Sequence, residues 1–292
     1  MLLAQVRVFV TGASGHIGSA VVPELVQAGH EVTGLARSET SAAVKALGAE
    51  VRRGDTGDLD GLREAAASAD AVIHLAFNHD IMVAGDMAGA TAMDVATVQT
   101  FGDALAGTGK TFIGIGLGKA ASANPRSAVA REIAGFAGRD IRSLLVGIPP
   151  VVHGTRDKSG FIPTLIRTAR ATGVSGYIGD GANRWPAVHT ADLGHLYRLA
   201  LETAPAGSQL IAAAEEGIAV RDIAETIGRH LDIPTVSVPA ERAMEHFGSF
   251  GAIMTLGIPP MSNASTWQLL DWKPEHPGLI ADLDDGHYFT TG

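Results

Sequence analysis

Apolar positions along the chain alternate between two spacings. Val6–Val10 is a short apolar run that ends at Thr11-Gly12. Behind it Ile17, Val21 and Leu25 recur every four residues, with Val22 and Val26 beside them. That is one face of a helix, and Gly29 marks its stop. The rhythm then repeats. Glu31–Ala36, Ala49–Arg53, Ala71–Phe77, Thr111–Leu117 and Arg142–Ile148 read as strands. Between them Ser41–Leu47, Leu59–Ala67, much of Met87–Ala106 and Ala128–Ala137 read as helices. Such alternation predicts an α/β fold, a doubly wound parallel sheet with helices on both faces. The near-continuous apolar stretch Ala71–Phe77 fits a sheet buried on both sides.

After Pro149-Pro150 the rhythm changes. A helix (Ile162–Ala171), a short strand (Val174–Ile178) and a helix (Ala191–Glu202) precede one more sheet strand, Gln209–Ala213. Val220–Asp284 reads as mostly helical with proline-rich breaks. The expected organisation is a nucleotide-binding domain over 1–155 with a returning segment near 186–215. A smaller, mostly helical C-terminal cap takes about 156–185 and 216–292.

Composition narrows the picture. The 292 residues include no cysteine, which removes disulfides, zinc–cysteine sites and thiol nucleophiles. The net charge of −9 disfavours nucleic acid or an anionic membrane as the main partner. No stretch reaches the ~18 apolar residues of a membrane span, and the first residues show no basic-then-apolar signal pattern. A cytoplasmic location is expected. There is no HExxH and no histidine pair at helical spacing, so no metal site is expected. No Gly-x-Ser-x-Gly marks a hydrolase of that type. The 36 glycines point to tight turns or close backbone approach to a ligand.

The strongest local signal is Thr11-Gly12-Ala13-Ser14-Gly15-His16-Ile17-Gly18, between the first strand and the first helix. Gly12 permits a sharp turn, Gly15 lets backbone approach a pyrophosphate, and Gly18 permits close helix–sheet packing. Amides of this loop and the helix dipole favour an anion. A tight turn without a ligand is the alternative.

The GxxGxxG spacing after Thr11 resembles the extended and atypical short-chain dehydrogenase/reductase proteins, of the NAD-dependent epimerase/dehydratase-like type. Further segments agree in order. Arg53-Gly54-Asp55-Thr56, with Asp58-Leu59, resembles the segment after the third strand; Asp55 matches the acid that contacts the adenine amino group. Val72–Phe77 resembles the fourth-strand signature, whose tail (Leu75, Ala76, Phe77) lines the cofactor ribose. Trp185–Asp192 resembles "VHVDD", and Thr266 through Leu270-Asp271-Trp272-Lys273-Pro274 resembles "LGW-P". The resemblance implies a Rossmann-type nucleotide binder, with Pro149 and the residues after it near the nicotinamide and a homodimer as the family-level expectation.

Arg37, at the end of the second strand, stands where the residue that selects the cofactor belongs. Its planar fork suits a 2′-phosphate, Ser38 can assist, and NADP(H) is the expected cofactor. The opposing reading has Arg37 solvated and Glu39 as an NAD-type acid.

The resemblance also implies a Ser after the fifth strand and a Tyr-x-x-x-Lys on the next helix. Neither stands in place: Tyr177, Tyr197 and Tyr288 are followed four residues on by Gly181, Leu201 and Gly292. Ser127 and Arg131 are the nearest analogues on the expected helix. His79, after the fourth strand, titrates near neutrality, and Lys119 lies just past the fifth. Each has an ordinary loop role as its alternative. His153, Tyr177, Trp185 and His189 are candidate substrate contacts or plain packing.

Three functions follow as alternatives. One is an NADP(H)-dependent oxidoreductase acting on a small, largely apolar carbonyl or alcohol with a non-standard acid–base arrangement. The second is a non-catalytic NADP(H)-binding regulator, and the third a nucleotide-sugar epimerase or dehydratase.

Overall fold

The computed structural model describes residues 5–116 and 124–290. Strand and helix alternate as the apolar spacing requires: β1 (Arg7–Thr11), α1 (Gly18–Gln27), β2 (Glu31–Ala36), α2 (Ser41–Ala46), β3 (Glu50–Arg53), α3 (Leu59–Ser68), β4 (Ala71–His74), α4 (His79–Val83), α5 (Met87–Leu105), β5 (Thr111–Gly116), α6 (Ser127–Gly135) and β6 (Arg142–Gly147). Then come β7 (Val151–His153), α7 (Phe161–Thr172), β8 (Ser175–Ile178), β9 (Arg184–His189), α8 (Thr190–Thr203), β10 (Gln209–Ile211), β11 (Glu215–Ala219), α9 (Val220–Leu231), β12 (Thr235–Val238), α10 (Ala243–Phe247), α11 (Gly251–Met254), α12 (Ala264–Leu270) and α13 (Leu279–Asp284).

The chain divides into two compact units. The first comprises Met1–Ile148, Leu193–Ala212 and Ala264–Trp272. Its seven strands form one parallel sheet in the order β10-β6-β5-β4-β1-β2-β3. This is the doubly wound, Rossmann-type sheet. β1 pairs with both β2 and β4, so strand order reverses beside it, where such sheets leave a crevice at their carboxyl ends. β4 stops at His74, although the apolar run continues through Phe77. The difference has a physical reason: β1 ends at Thr11, where Gly12 turns the chain, so its ladder with β4 stops at the Thr11–His74 pair.

One face of the sheet is filled by α3, α5 and α6 through Leu62, Val98, Phe101, Leu105, Val129 and Ile133, all buried. Phe9, Phe101, Phe112 and Phe136 run through this layer with ring centroids 6.3, 5.8 and 5.2 Å apart. Tilted and edge-on aromatic pairs of this kind add about 0.5–1.5 kcal/mol each beyond area burial.

The second unit comprises Pro149–Asp192, Ala213–Asn263 and Lys273–Gly292. It is largely helical but holds more strand than its sequence suggests. β11, β9 and β7 form a three-stranded sheet, and β12 pairs with β8. These strands have three to six residues, too few for a spacing of two to stand out. Its core gathers Ile162, Leu165, Trp185, Ile223, Ile227 and Leu283. Among the described residues no helix is long and apolar enough to cross a membrane.

In the first unit Arg142 ties β6 to the end of α8. Its guanidinium donates to the carbonyls of Ala200, Leu201 and Ala204 at 2.6–3.0 Å and to Thr111 Oγ1 at 2.8 Å. Ala200 and Leu201 lie in the last turn of α8 and Ala204 just past it. Ala200 also accepts the Ala204 N–H at 3.3 Å, whereas Arg142 is the one partner of the Leu201 and Ala204 carbonyls among the described residues. Replacing Arg142 with Met removes the partner of those two carbonyls. The expected loss of stability is about 2–4 kcal/mol, read by urea denaturation, with Arg142→Lys recovering only part because an ammonium lacks the fork.

Candidate functional site

The glycine loop is shaped by backbone crowding. Gly12 has φ +70°, and a Cβ there would lie 2.8 Å from the Ala76 nitrogen and 2.9 Å from the Leu75 carbonyl carbon. A Cβ on Gly18 would collide with the Gly12 carbonyl oxygen and sit 2.7 Å from Ala13 backbone. Gly15 is exposed on the loop, and its N–H donates to the Gly12 carbonyl at 3.0 Å. Ser14, His16 and Ile17 are half-buried beside it, and Ser19 Oγ donates to the His16 carbonyl at 2.7 Å. α1 starts with no side-chain cap and no acid in its first turn. The positive end of its dipole is therefore left for an outside anion.

Past β2, Arg37 is exposed and its Nε pairs with Glu39 Oε1 at 3.1 Å. Its carbonyl takes the Thr40 and Ser41 hydroxyls at 3.2 and 3.0 Å, which fixes the turn that carries Ser38. Past β3, Asp55 Oδ1 accepts from Gly57 N–H at 2.7 Å, while Asp58 caps α3. The Thr56 carbonyl is held to α5 by Thr97 Oγ1 at 3.2 Å.

Between the ends of β1 and β4 lies a polar array that the sequence reading missed. Thr11 Oγ1 and His74 Nδ1 are 2.6 Å apart, and His74 Nε2 is 2.8 Å from Asp94 Oδ1 on α5. Ala76 N–H donates to Thr11 Oγ1 at 3.3 Å. The hydroxyl proton is then free for His74 Nδ1, and His74 Nε2–H donates to Asp94. His74 is 4% exposed and Asp94 7%. One cavity is lined by His74, Ala76, Asp94, Ile115, Arg126 and Val129. A second includes Thr56, Ala76, Phe77, Asn78, Asp94 and Thr97, so Ala76 and Asp94 belong to both.

Arg126, at the start of α6, lays its guanidinium over the Phe77 ring, 4.1 Å from the centroid. Burial lowers its pKa, and the charge of Asp94 opposes that shift. His79 meets Phe77 edge-on at 5.3 Å. Burial first, and the Arg126 charge second, hold its imidazole below the usual pKa. Ser127 and Arg131, the analogues chosen from the sequence, bond one another at 3.0 Å on α6. Neither lines the two cavities. Lys119 lies outside the described residues. Of the tyrosines, Tyr197 is fully buried and its hydroxyl has no partner among the described residues. Burial drives its pKa well above the phenol range, and the Arg126 charge acts the other way.

Pro149 opens the second unit. There His153 Nδ1 bonds Asp282 Oδ2 at 2.8 Å, and the His153 ring meets His189 edge-on at 5.3 Å. His189 stacks on His276 at 4.8 Å, and burial lowers its pKa. Trp185 is 0% exposed and packs edge-on against Phe161 and Phe250, so its ring is core. Tyr177 is covered by the Arg221 guanidinium at 5.0 Å. Of the substrate candidates, His153 and His189 meet each other, while Trp185 and Tyr177 serve packing here.

Burial alone would raise the Asp282 pKa, but hydrogen bonds from His153 and His287, and their charge, bring it below the usual carboxylate value. A depressed carboxylate pKa contributes stability above the unfolded value of ~3.9, lost as pH falls through the folded value. Asp282→Asn should therefore lower the melting temperature clearly at pH 6–7. The gap to the wild type should narrow below about pH 3, as followed by circular dichroism.

The parallel sheet, its reversal at β1 and the glycine loop define a nucleotide-binding protein of the short-chain dehydrogenase/reductase class. The family model for the NAD dependent epimerase/dehydratase family matches residues 8–113. An uncharacterized protein of Schizosaccharomyces pombe is 41% identical over 97% of this chain and 100% of its own length. One of Saccharomyces cerevisiae is 37% identical over 95% and 97%. Among solved structures, a UDP-glucuronic acid 4-epimerase from Bacillus cereus, in complex with UDP-glucuronic acid and NAD, is similar with a TM-score of 0.76 at 17% identity, covering 96% and 98%. The chain belongs to the extended, epimerase/dehydratase-like branch of the short-chain dehydrogenase/reductase superfamily.

Proposed function

We propose that the chain is an NADP(H)-dependent oxidoreductase acting on a small, largely apolar carbonyl or alcohol. The observation that carries this reading is the cradle at Gly12 and Gly18, where any Cβ would collide with backbone, ahead of an uncapped helix. Gly12 and Ser14–Gly18 would hold the pyrophosphate. Arg37 would exchange Glu39 for a 2′-phosphate, with Ser38 beside it. Asp55 would meet the adenine amino group, Thr56, Leu75, Ala76 and Phe77 the adenosine, and Pro149 the nicotinamide end. When bound, the nicotinamide supplies or takes up the hydride, while the protein orients the partners and handles the proton. The same reading takes the protein to act in the cytosol, as a homodimer, on a small molecule rather than on nucleic acid or membrane.

Fluorescence titration with NADPH and NADH tests this. NADPH should bind at least tenfold more tightly, and Arg37→Asp should remove that preference by losing the phosphate contact and restoring an acid for the ribose hydroxyl. Equal affinity of the wild type for both would overturn the assignment. Turnover is then screened with ketones, aldehydes, quinones and imines; tight binding with no turnover in any class points to a regulator instead. A second reading, a nucleotide-sugar epimerase or dehydratase, is favoured by the likeness to the Bacillus cereus epimerase. Conversion of a UDP- or dTDP-sugar without net consumption of cofactor would select it.

A further inference from the structure

We propose that Asp94 is the proton-transfer group of this protein and that Arg126 is the donor that holds the substrate oxygen. The ligand of the cavity they share is then an alcohol–carbonyl couple. The inference rests on the redox reading above for its reaction, but the binding it describes can be read without turnover.

Asp94 has one oxygen committed and one not. His74 bonds Oδ1, and among the described residues Oδ2 has no partner, although the side chain is more than nine-tenths buried and lines both cavities. Oδ2 is not one of the fully buried, unpartnered side-chain atoms, so it opens onto the cavity and can accept from whatever enters there. Arg126 is the complementary case. The Phe77 ring holds its guanidinium, and among the described residues it makes neither a hydrogen bond nor an ion pair. Its five N–H donors therefore remain available to a ligand oxygen.

Charge decides what that ligand is. A carboxylate drawn to Arg126 meets the Asp94 charge, and an ammonium drawn to Asp94 meets Arg126. A neutral hydroxyl fits both: it accepts from the guanidinium and donates to Oδ2. In the oxidation direction the O–H bond breaks and its proton passes to Asp94 Oδ2. The C–H hydrogen leaves with its electron pair for the oxidised nicotinamide as the C=O bond forms. In reduction the Asp94 carboxylic acid returns the proton to the oxygen. Arg126 stabilises the negative charge that builds on that oxygen. Asp94 exchanges its proton with water through the cavity. His74 and Thr11 are positioning residues, since they act by fixing the Asp94 carboxylate. Tyr197, the buried phenol near Arg126, does not line either cavity, and neither does His79.

Asp94→Asn keeps an oxygen for His74 Nε2–H and removes the proton acceptor. With a carbonyl substrate from the turnover screen, kcat should fall about 100-fold or more, with the NADPH Kd unchanged. Arg126→Met should raise KM and lower kcat together, and Arg126→Lys should recover part of both. Independently, 2-propanol is titrated into nitrogen-15-labelled wild-type protein, with and without NADP+, while the Arg126 Nε–Hε signal is followed by NMR. A saturable shift is expected, weaker in Asp94→Asn, and weaker again when 2-methoxypropane, which has no hydroxyl donor, replaces the alcohol. A kcat for Asp94→Asn within threefold of wild type overturns the proposal, as does the absence of a saturable shift with 2-propanol. If NADPH fails to bind the wild type, the redox reading falls by that result alone, and the alcohol titration still reports on the cavity.

Discussion

At Gly12 the chain turns against the exit of β4 with no room for a side chain, and the first unit is organised around that contact. A Cβ there would meet the backbone of Leu75 and Ala76. The closeness lets Thr11 reach across to His74 and to the Ala76 amide. One pinch thus sets the glycine loop on one side and a buried polar array on the other. Gly18 closes the loop from the helix end, because its α-carbon lies against Gly12 and Ala13 backbone. A larger residue at either glycine would push apart elements that the parallel ladder between β1 and β4 holds in register.

The polar array explains how a chain of this family can dispense with a tyrosine on α6. A tyrosine–lysine pair joins a proton donor to a nearby positive charge. Here a carboxylate, braced through His74 to Thr11, stands near a guanidinium that enters from the start of α6. The two charges are coupled without touching, which leaves the space between them polar but unbonded. The Phe77 ring, part of the same apolar tail that follows β4, supports the cation from below. The glycine loop and Phe77 follow the carboxyl ends of the neighbouring strands β1 and β4, while Asp94 comes from α5 and Arg126 from the start of α6.

Much of this was legible in the sequence, and the reasons differ by element. Strands β1, β2 and β4 to β6 were readable because buried parallel strands are runs of apolar residues, edge strand β3 (Glu50–Arg53) by its place in the alternation, and the glycine loop because its spacing follows a strand and opens a helix. The short strands of the second unit were not, since three to six residues carry no period. Ser127 and Arg131 suggested themselves through helical spacing, yet that spacing pairs them with each other. Arg126, one residue earlier, is the cation that turns inward. His74 and Asp94 did leave a signal. His74 interrupts an apolar strand, and Asp94 falls in step with Ala90, Val98 and Phe101 on the buried face of α5. A charged residue in such a stripe asks for a partner. The partner, 20 residues away, is visible only once the sheet is assembled.

The decisive measurement is a crystal structure of the NADP+ complex with a bound secondary alcohol. The alcohol oxygen is expected within ~3 Å of both Asp94 Oδ2 and a guanidinium nitrogen of Arg126. The cofactor pyrophosphate is expected against Gly12–Gly18 and its 2′-phosphate on Arg37. An alcohol oxygen bonded elsewhere, with Asp94 and Arg126 facing solvent or each other, would contradict this arrangement.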